Sequence, residues 1–350
     1  MKRTFISFML LSAAAFMICY GCSPTNTPSQ KKDNPQQQEE EKEEQGGDVS
    51  NEVYPDLDNK CWTKTIVDDG IIYWEFNGFD NISSAKQFVH VADIDMNKGY
   101  KFTIGYDGNS HITSDMHKLR KAIVTINGGY ETSSIFIKYA GSVRHNIEND
   151  KISGKVTNWK NDGAICITDK YQPVILNTMC GDSEGVSKYG GALAAQRDFY
   201  RNGAEIRKYP NVISSAPILI DNFQPYGETF VYMTATQYNA LDSEEPQHHQ
   251  GVRHPRTVIA TTKGGRLLLL VADGRYSSIC NGFSAKELTQ FLTKNFNPQF
   301  ALNMDGGGSS TMCIEDLGDP STHVVNYPCD NKKADHDGER TVRTFFCVTR

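Results

Sequence analysis

The chain has 350 residues, with 36 Lys and Arg against 42 Asp and Glu, a formal net charge of −6. A balance this near neutral, with the acidic block at residues 39–44 supplying much of the deficit, excludes the broad basic face of a nucleic-acid binder. Phosphate chemistry here must rest on a few local cations rather than on an overall field.

In chain order, Lys2 and Arg3 precede an apolar stretch at residues 5–18, broken only by Ser7 and Ser12. That is the anatomy of an export signal, and it is too short for a stable membrane span. It ends in Cys19-Tyr20-Gly21-Cys22, which resembles the bacterial lipoprotein box with Cys22 as the lipidated residue. Residues 23–52 hold Pro24, Pro28, Pro35, the run Gln36-Gln37-Gln38 and the acidic block, with no large apolar side chain before Val49. Such a stretch cannot bury enough surface to offset its ordering entropy and reads as a solvated tether. These segments predict an exported protein, facing the periplasm or cell exterior and joined to a membrane only through its lipid anchor. Residues 53–350 remain as the folded domain. Seven of the nine cysteines follow Cys22, an odd number that leaves at least one free, and no CxxC pair suggests a zinc ribbon. One or two disulfides are expected, with the other thiols buried as small hydrophobes.

Residues 70–76 and 87–94 alternate with the period of half-buried strands, and 100–106 adds another. Residues 112–122 suit a helix, and 123–126 a buried strand running into Asn127-Gly128-Gly129. The middle, 131–211, holds short β-like runs at 135–139, 164–168 and 174–176 among many polar residues. The apolar run 213–221 contains Pro217, which predicts an edge strand or a bend. Residues 257–262 and 266–273, joined by Lys263-Gly264-Gly265, predict a hairpin. Ser284 and Glu287 form a capping box for a helix to about Asn295, with Leu288, Phe291 and Leu292 on one face. Strands at 300–304 and 342–349 follow. The class is α+β: a strand-rich mixed sheet core with a few flanking helices.

Three strand ends combine polar residues with glycine: Asn127-Gly128-Gly129, Asp273-Gly274-Arg275, and Asp305-Gly306-Gly307-Gly308-Ser309-Ser310-Thr311. Strand ends direct side chains from a rigid support. The triple glycine permits positive φ, and its N–H groups suit an anion nest, although no P-loop Gly-Lys-Ser/Thr follows. Arg256, within His254-Pro255-Arg256-Thr257, is a candidate phosphate fork. His248 and His249 read as solvated. Asp93 and Asp95 read as a surface pair rather than a cation site.

The order of these pieces, continued by Asn326-Tyr327-Pro328 and Glu339-Arg340-Thr341-Val342, resembles the phosphodiester glycosidase family. The resemblance is strong over 254–348 and recognisable over 123–130. Little matches within 131–211 or before 123, so 53–122 is the more divergent part of the domain. Tyr130 stands where phenylalanine is more usual, and Met304 replaces a leucine. The resemblance implies a cavity that holds Asp305 and Asp273, the two candidate catalytic carboxylates. It implies substrate contacts from Asn127, Gly128, Arg256, Arg275, Gly306, Gly307, Ser309, Ser310 and Arg340. The implied substrate is a sugar-1-phosphodiester, such as an α-N-acetylglucosamine-1-phosphodiester, cleaved at C1–O without metal or cofactor.

Such a reaction expels a phosphomonoester, already a good leaving group, so a strongly perturbed general acid is less necessary than in ordinary glycosidases. Cations and loop N–H groups would meet the growing phosphate charge, and a carboxylate the developing oxocarbenium or the attacking water. Asp305 is favoured for that carboxylate because it opens the glycine loop, with Asp273 orienting an arginine or hydroxyl. Two other readings remain at this stage: a phosphodiesterase cleaving P–O, and a non-catalytic glycan-binding lipoprotein.

Overall fold

The run 267–272 has no polar interruption because its strand lies in the middle of a sheet, buried at every residue. The structure, a computed structural model, describes residues 54, 57, 59–147, 151–152, 155–156, 158–178, 201–230, 234–241 and 245–350. The expected export signal, the Cys22 lipidation site and the 23–52 tether lie outside those residues, as does Cys180.

In chain order the elements begin with β1 (Trp62–Asp68), β2 (Ile71–Asp80), β3 (Ala85–Asp95), β4 (Lys101–Gly105), α1 (Thr113–Arg120) and β5 (Val124–Asn127). The middle supplies β6 (Ile137–Tyr139), β7 (Ser142–His145), β8 (Lys151–Ile152), β9 (Lys155–Val156), β10 (Gly163–Ile167), β11 (Pro173–Asn177), α2 (Gly203–Ile206), β12 (Asn211–Ser215) and β13 (Ile218–Asp221). Then come α3 (Ala235–Ala240), α4 (Pro246–Gln250), β14 (Arg256–Thr261), β15 (Arg266–Ala272), α5 (Ala285–Asn295), β16 (Phe300–Asn303), β17 (Met312–Ile314) and β18 (Phe345–Thr349).

These build a strand-rich α+β fold of antiparallel sheets. A seven-stranded sheet runs β1-β2-β3-β15-β14-β16-β13, a five-stranded sheet β11-β10-β12-β6-β7, and a four-stranded sheet β17-β5-β18-β4, beside the small β8-β9 pair. The divergent N-terminal part thus supplies three strands of the sheet that also holds β14 to β16. The capping box of α5 forms as expected. Its Phe291 meets the rings of Trp62, Phe76 and Phe283 at 6.0, 5.6 and 5.2 Å. Burying each such side chain contributes about 1.5–3 kcal/mol.

The run around Pro217 divides. Its first part joins the five-stranded sheet as β12, and its second is the edge strand β13, so the bend and the edge both occur. The last strand begins at Phe345 rather than 342, because Val342 pairs instead with His111. Strand β3 is buried on both faces, not one. Its polar residues are each paired: Gln87 donates to the Gly282 carbonyl at 2.9 Å, and Arg266 donates to Asp93 at 2.5 Å. Asp95 caps the turn at Met96–Lys98. The expected surface pair Asp93 and Asp95 is therefore corrected to a buried ion pair and a cap.

The expected disulfides are also corrected: the six described cysteines after Cys22 are free. For Cys313 and Cys347 the reason is geometric. Both are in register with Thr125, on opposite sides of β5. Two strand spacings, roughly 9.5 Å, exceed the reach of a disulfide.

Candidate active site

Antiparallel register brings distant motifs to one end of the seven-stranded sheet. Arg256 opens β14 opposite Ala272, the last residue of β15, and Val258 stands opposite Asn303, the last residue of β16. The chain leaving β15 therefore reaches Asp273 and Arg275 beside Arg256, and the chain leaving β16 reaches Asp305 there too. Asn127 ends β5 and ties the two sheet ends together. Its Oδ1 accepts from Thr257 Oγ1 at 2.8 Å and from the Thr311 N–H at 3.2 Å, while Nδ2 donates to the Asp305 carbonyl at 2.8 Å.

Between these ends lies a hollow with two adjoining lobes. The larger, about 440 Å³, is basic, lined among others by Lys160, His254, Arg256 and Arg275 with Gly306 and Gly307. The smaller, about 340 Å³, carries Ser110, Thr132, Ser309 and Thr341. Tyr130, Glu131, Asp305 and Arg340 line both lobes and form the waist between them.

The cations differ in their partners. Arg256 is buried and donates to the carbonyls of Phe283, His249 and Val252 and to Gln250 Oε1, at 2.8 to 3.0 Å. None of these acceptors is a carboxylate. Burial brings its pKa down to about 10, so it stays protonated at neutral pH. Arg275 is exposed, sits in the left-handed region at φ 68, and donates to Cys329 Sγ at 3.5 Å. A strained arginine at the rim of a hollow is the kind of outlier that functional sites retain. Arg340 differs: it forks onto Asp330 with two bonds of 2.7 Å. His254 is kept neutral, its pKa pushed down to about 3 by burial and then by Arg256 and Arg275.

Asp305 faces the waist. Burial pushes its carboxyl up to about 6, and the charge of Glu131 adds to the rise. The Ser309 hydroxyl, Arg340 and the Gly306 N–H oppose that shift. A carboxylate tuned this close to neutral pH suits proton transfer.

The structure separates the residues expected at the site into two groups. Arg256, Arg275, Asp305, Gly306, Gly307, Ser309 and Arg340 line the hollow. Asn127, Gly128, Asp273 and Ser310 stand behind its wall. Asp273 is fully buried, accepting from Asn326 Nδ2 and the Tyr327 N–H at 2.9 Å each, with His90 Nε2 at 3.3 Å. Ser310 Oγ lies 3.2 Å from Thr257 Oγ1, within hydrogen-bond reach, and the carbonyl of Gly128 takes the Asp305 N–H.

Most of the N–H groups expected to form an anion nest in the glycine loop are engaged within the protein: Gly306 to Asp305 Oδ1, Gly307 to the Pro255 carbonyl, Ser309 and Ser310 to carbonyls of the loop. The glycines make room instead. Gly307, at φ 63, lies so close to Arg275 that a Cβ would stand 2.9 Å from Nη2, and a Cβ at Gly308 would overlap the Asp330 carboxylate.

Sequence reasoning missed Glu131, Lys160 and His254 as lining residues, and read His248 and His249 as solvated, whereas both line the basic lobe. The His249 ring lies tilted against that of Trp159, with centroids 5.2 Å apart. The only available signal was position: Glu131 follows the Asn127-Gly128-Gly129-Tyr130 motif directly.

A family model described as phosphodiester glycosidase matches residues 120–349. No curated protein matches the chain in sequence. Among solved structures, the catalytic domain of zebrafish N-acetylglucosamine-1-phosphodiester alpha-N-acetylglucosaminidase, auto-inhibited by its pro-peptide, is similar at 17% identity and TM-score 0.51, covering 84% of this chain and 85% of that one. A hypothetical protein from Synechocystis is similar at 14% identity and TM-score 0.53, covering 83% of this chain and 64% of that one. At these identities the likeness is one of fold.

Proposed function

The chain belongs to the phosphodiester glycosidase family, and from that premise we propose that it hydrolyses the C1–O bond of a sugar-1-phosphodiester to free sugar and a phosphomonoester. One observation carries this reading. Asp305 looks into the same hollow as Arg256 and Arg275, whose guanidinium groups bond carbonyls, an amide oxygen and a thiol but no carboxylate among the described residues.

Two cations that bond no carboxylate suit an anion whose charge grows as the bond breaks. The phosphodiester enters singly charged, and the phosphomonoester leaves doubly charged. Cations already in position stabilise that added charge without reorganisation. The phosphate then occupies the basic lobe, the sugar the smaller lobe with its hydroxyl-bearing side chains, and the scissile bond the waist beside Asp305. Asp305 takes the proton of the attacking water as the water oxygen bonds to C1, and the C1–O electron pair leaves with the phosphate. Asp273 acts behind this site by holding Asn326 and Tyr327. Residues 1–52 extend the proposal to an exported enzyme tethered at Cys22.

N-acetylglucosamine, the sugar in the name of the zebrafish relative, is the first to try. Hydrolysis of its 1-(methyl phosphate) ester in heavy-oxygen water tests the bond. Label in the anomeric hydroxyl is the expected result. Label in the phosphate makes the protein a P–O phosphodiesterase, and binding without turnover across a panel of sugar esters makes it a glycan binder.

A further inference from the structure

We propose that Glu131 is a second carboxylate of the reaction and that the buried Lys160 is its positioning residue. The inference rests on reading the hollow as the sugar-phosphodiester site. Glu131 lines both lobes with Asp305 at the waist, and the two carboxylates are close enough for the charge of one to shift the other.

Lys160 holds Glu131 there. Its Nζ donates to Glu131 Oε1 at 2.7 Å, with the lysine side chain 3% exposed and that of the glutamate 46%. The ammonium also lies over the rings of Tyr130 and Trp159, at 5.3 and 5.6 Å. Removing an ammonium from water is costly, and an ion pair alone often fails to offset it. A surface lysine would neutralise a half-exposed glutamate at far smaller desolvation cost. What the buried arrangement adds is position. Tyr130 donates to the Ala216 carbonyl and accepts from Gln250, the same residue that grips Arg256. Asn161 donates to the Ser134 carbonyl and accepts from the Phe136 N–H, tying the turn that carries Lys160 to the segment that carries Glu131.

The two carboxylates then divide the work. Asp305, pushed toward neutral pH, receives the proton of the attacking water. Glu131, paired with the Lys160 ammonium, faces the positive charge that develops on C1 and the ring oxygen as the C1–O bond breaks. No atom is transferred to Glu131. Carboxylates in unlike environments taking unlike roles is the general pattern in glycoside hydrolysis.

The test uses the full chain and N-acetylglucosamine-1-(methyl phosphate), with Glu131→Gln, Lys160→Met and Lys160→Arg. Glu131→Gln removes the charge at a half-exposed position and is expected to fold. Its kcat should fall by about 10²-fold with KM changed by less than about threefold, the split of a group that acts in the transition state. The acid limb of its pH profile should also move to lower pH, because the charge that raises the Asp305 pKa is gone. Lys160→Met should lower kcat by about tenfold, with Lys160→Arg recovering part of it. A Glu131→Gln enzyme with unchanged kcat and an unmoved pH profile, or with only KM raised, overturns the inference while wild type still cleaves C1–O. Failure of wild type to cleave that bond sinks the underlying reading instead, whatever the variants do.

Discussion

The loops after β15 and β16 begin alike: a buried apolar strand, an aspartate, a glycine. Asp273 and Asp305 are nonetheless placed in opposite surroundings. Asp273 is fully buried, and both its oxygens accept hydrogen bonds, from Asn326, the Tyr327 N–H and His90. Asp305 is half-buried, receives the Gly306 N–H on one oxygen, and looks across the hollow at Glu131 and Arg340. A carboxylate saturated with donors is committed to holding its neighbours. One that is desolvated and under-supplied with donors has its pKa raised and stays available for chemistry.

The largest effect expected from that contrast is on turnover. Asp305→Asn should lower kcat by roughly 10²–10⁴-fold at neutral pH, measured as initial rates on the methyl phosphate ester. The same variant should be more stable than wild type, with a definite pH dependence. The Asp305 carboxyl has its ordinary value of 3.8 when unfolded and about 6 when folded. Between those values the folded state holds a proton that the unfolded state has lost, so stability falls as pH rises from 4 toward 6. Above pH 6 wild type bears the whole cost of the desolvated charge and the asparagine variant none, a gain of about 3 kcal/mol at most. Denaturant titrations at pH 4 and pH 7.5 check this, and equal differences at both values would remove Asp305 from its assigned environment.

A smaller effect is expected at Arg275. Replacement by glycine removes the guanidinium and relieves the left-handed backbone at φ 68. Its kcat/KM should fall by about 10–10²-fold, with stability unchanged or up by as much as about 1 kcal/mol. Loss of activity with a gain in stability separates an exposed functional cation from a structural one. A variant that loses both would place Arg275 among the clamps, with Asp273.

How much of this was legible beforehand follows from what sequence pattern can encode. The strands, the Pro217 division and the α5 capping box were readable because periodicity, proline and capping chemistry act locally. The convergence of Arg256, Arg275 and Asp305 was readable only through the family resemblance, since it depends on which strands are neighbours. Burial direction was not readable. Asn127, Asp273 and Ser310 look like site residues because they are polar at strand ends, but their side chains turn inward to join loops. The glycine loop misled for a related reason: the Gly306 N–H turns to the Asp305 carboxylate, and those of Gly307, Ser309 and Ser310 turn to carbonyls of Pro255 and of the loop itself. Glu131 and Lys160 went unseen because their pairing spans 29 positions within the least patterned part of the chain.

Asp273→Asn should give the smallest change in turnover and the clearest structural penalty. Asparagine keeps one acceptor oxygen but turns an amide toward a site where Asn326 Nδ2 and the Tyr327 N–H both donate. One of those donors is left facing another donor in a fully buried place, at a cost of about 1–3 kcal/mol. His90 also loses its carboxylate neighbour. The hollow is disturbed only through the chain, two residues on, at Arg275. Molecules that remain folded should therefore turn over within about tenfold of wild type, well short of the loss at Asp305. Thermal melts and active-site-normalised rates measured together decide the matter. If Asp273→Asn instead melts like wild type while losing as much turnover as Asp305→Asn, the two aspartates have exchanged roles, and the carboxylate that serves the sugar is the buried one.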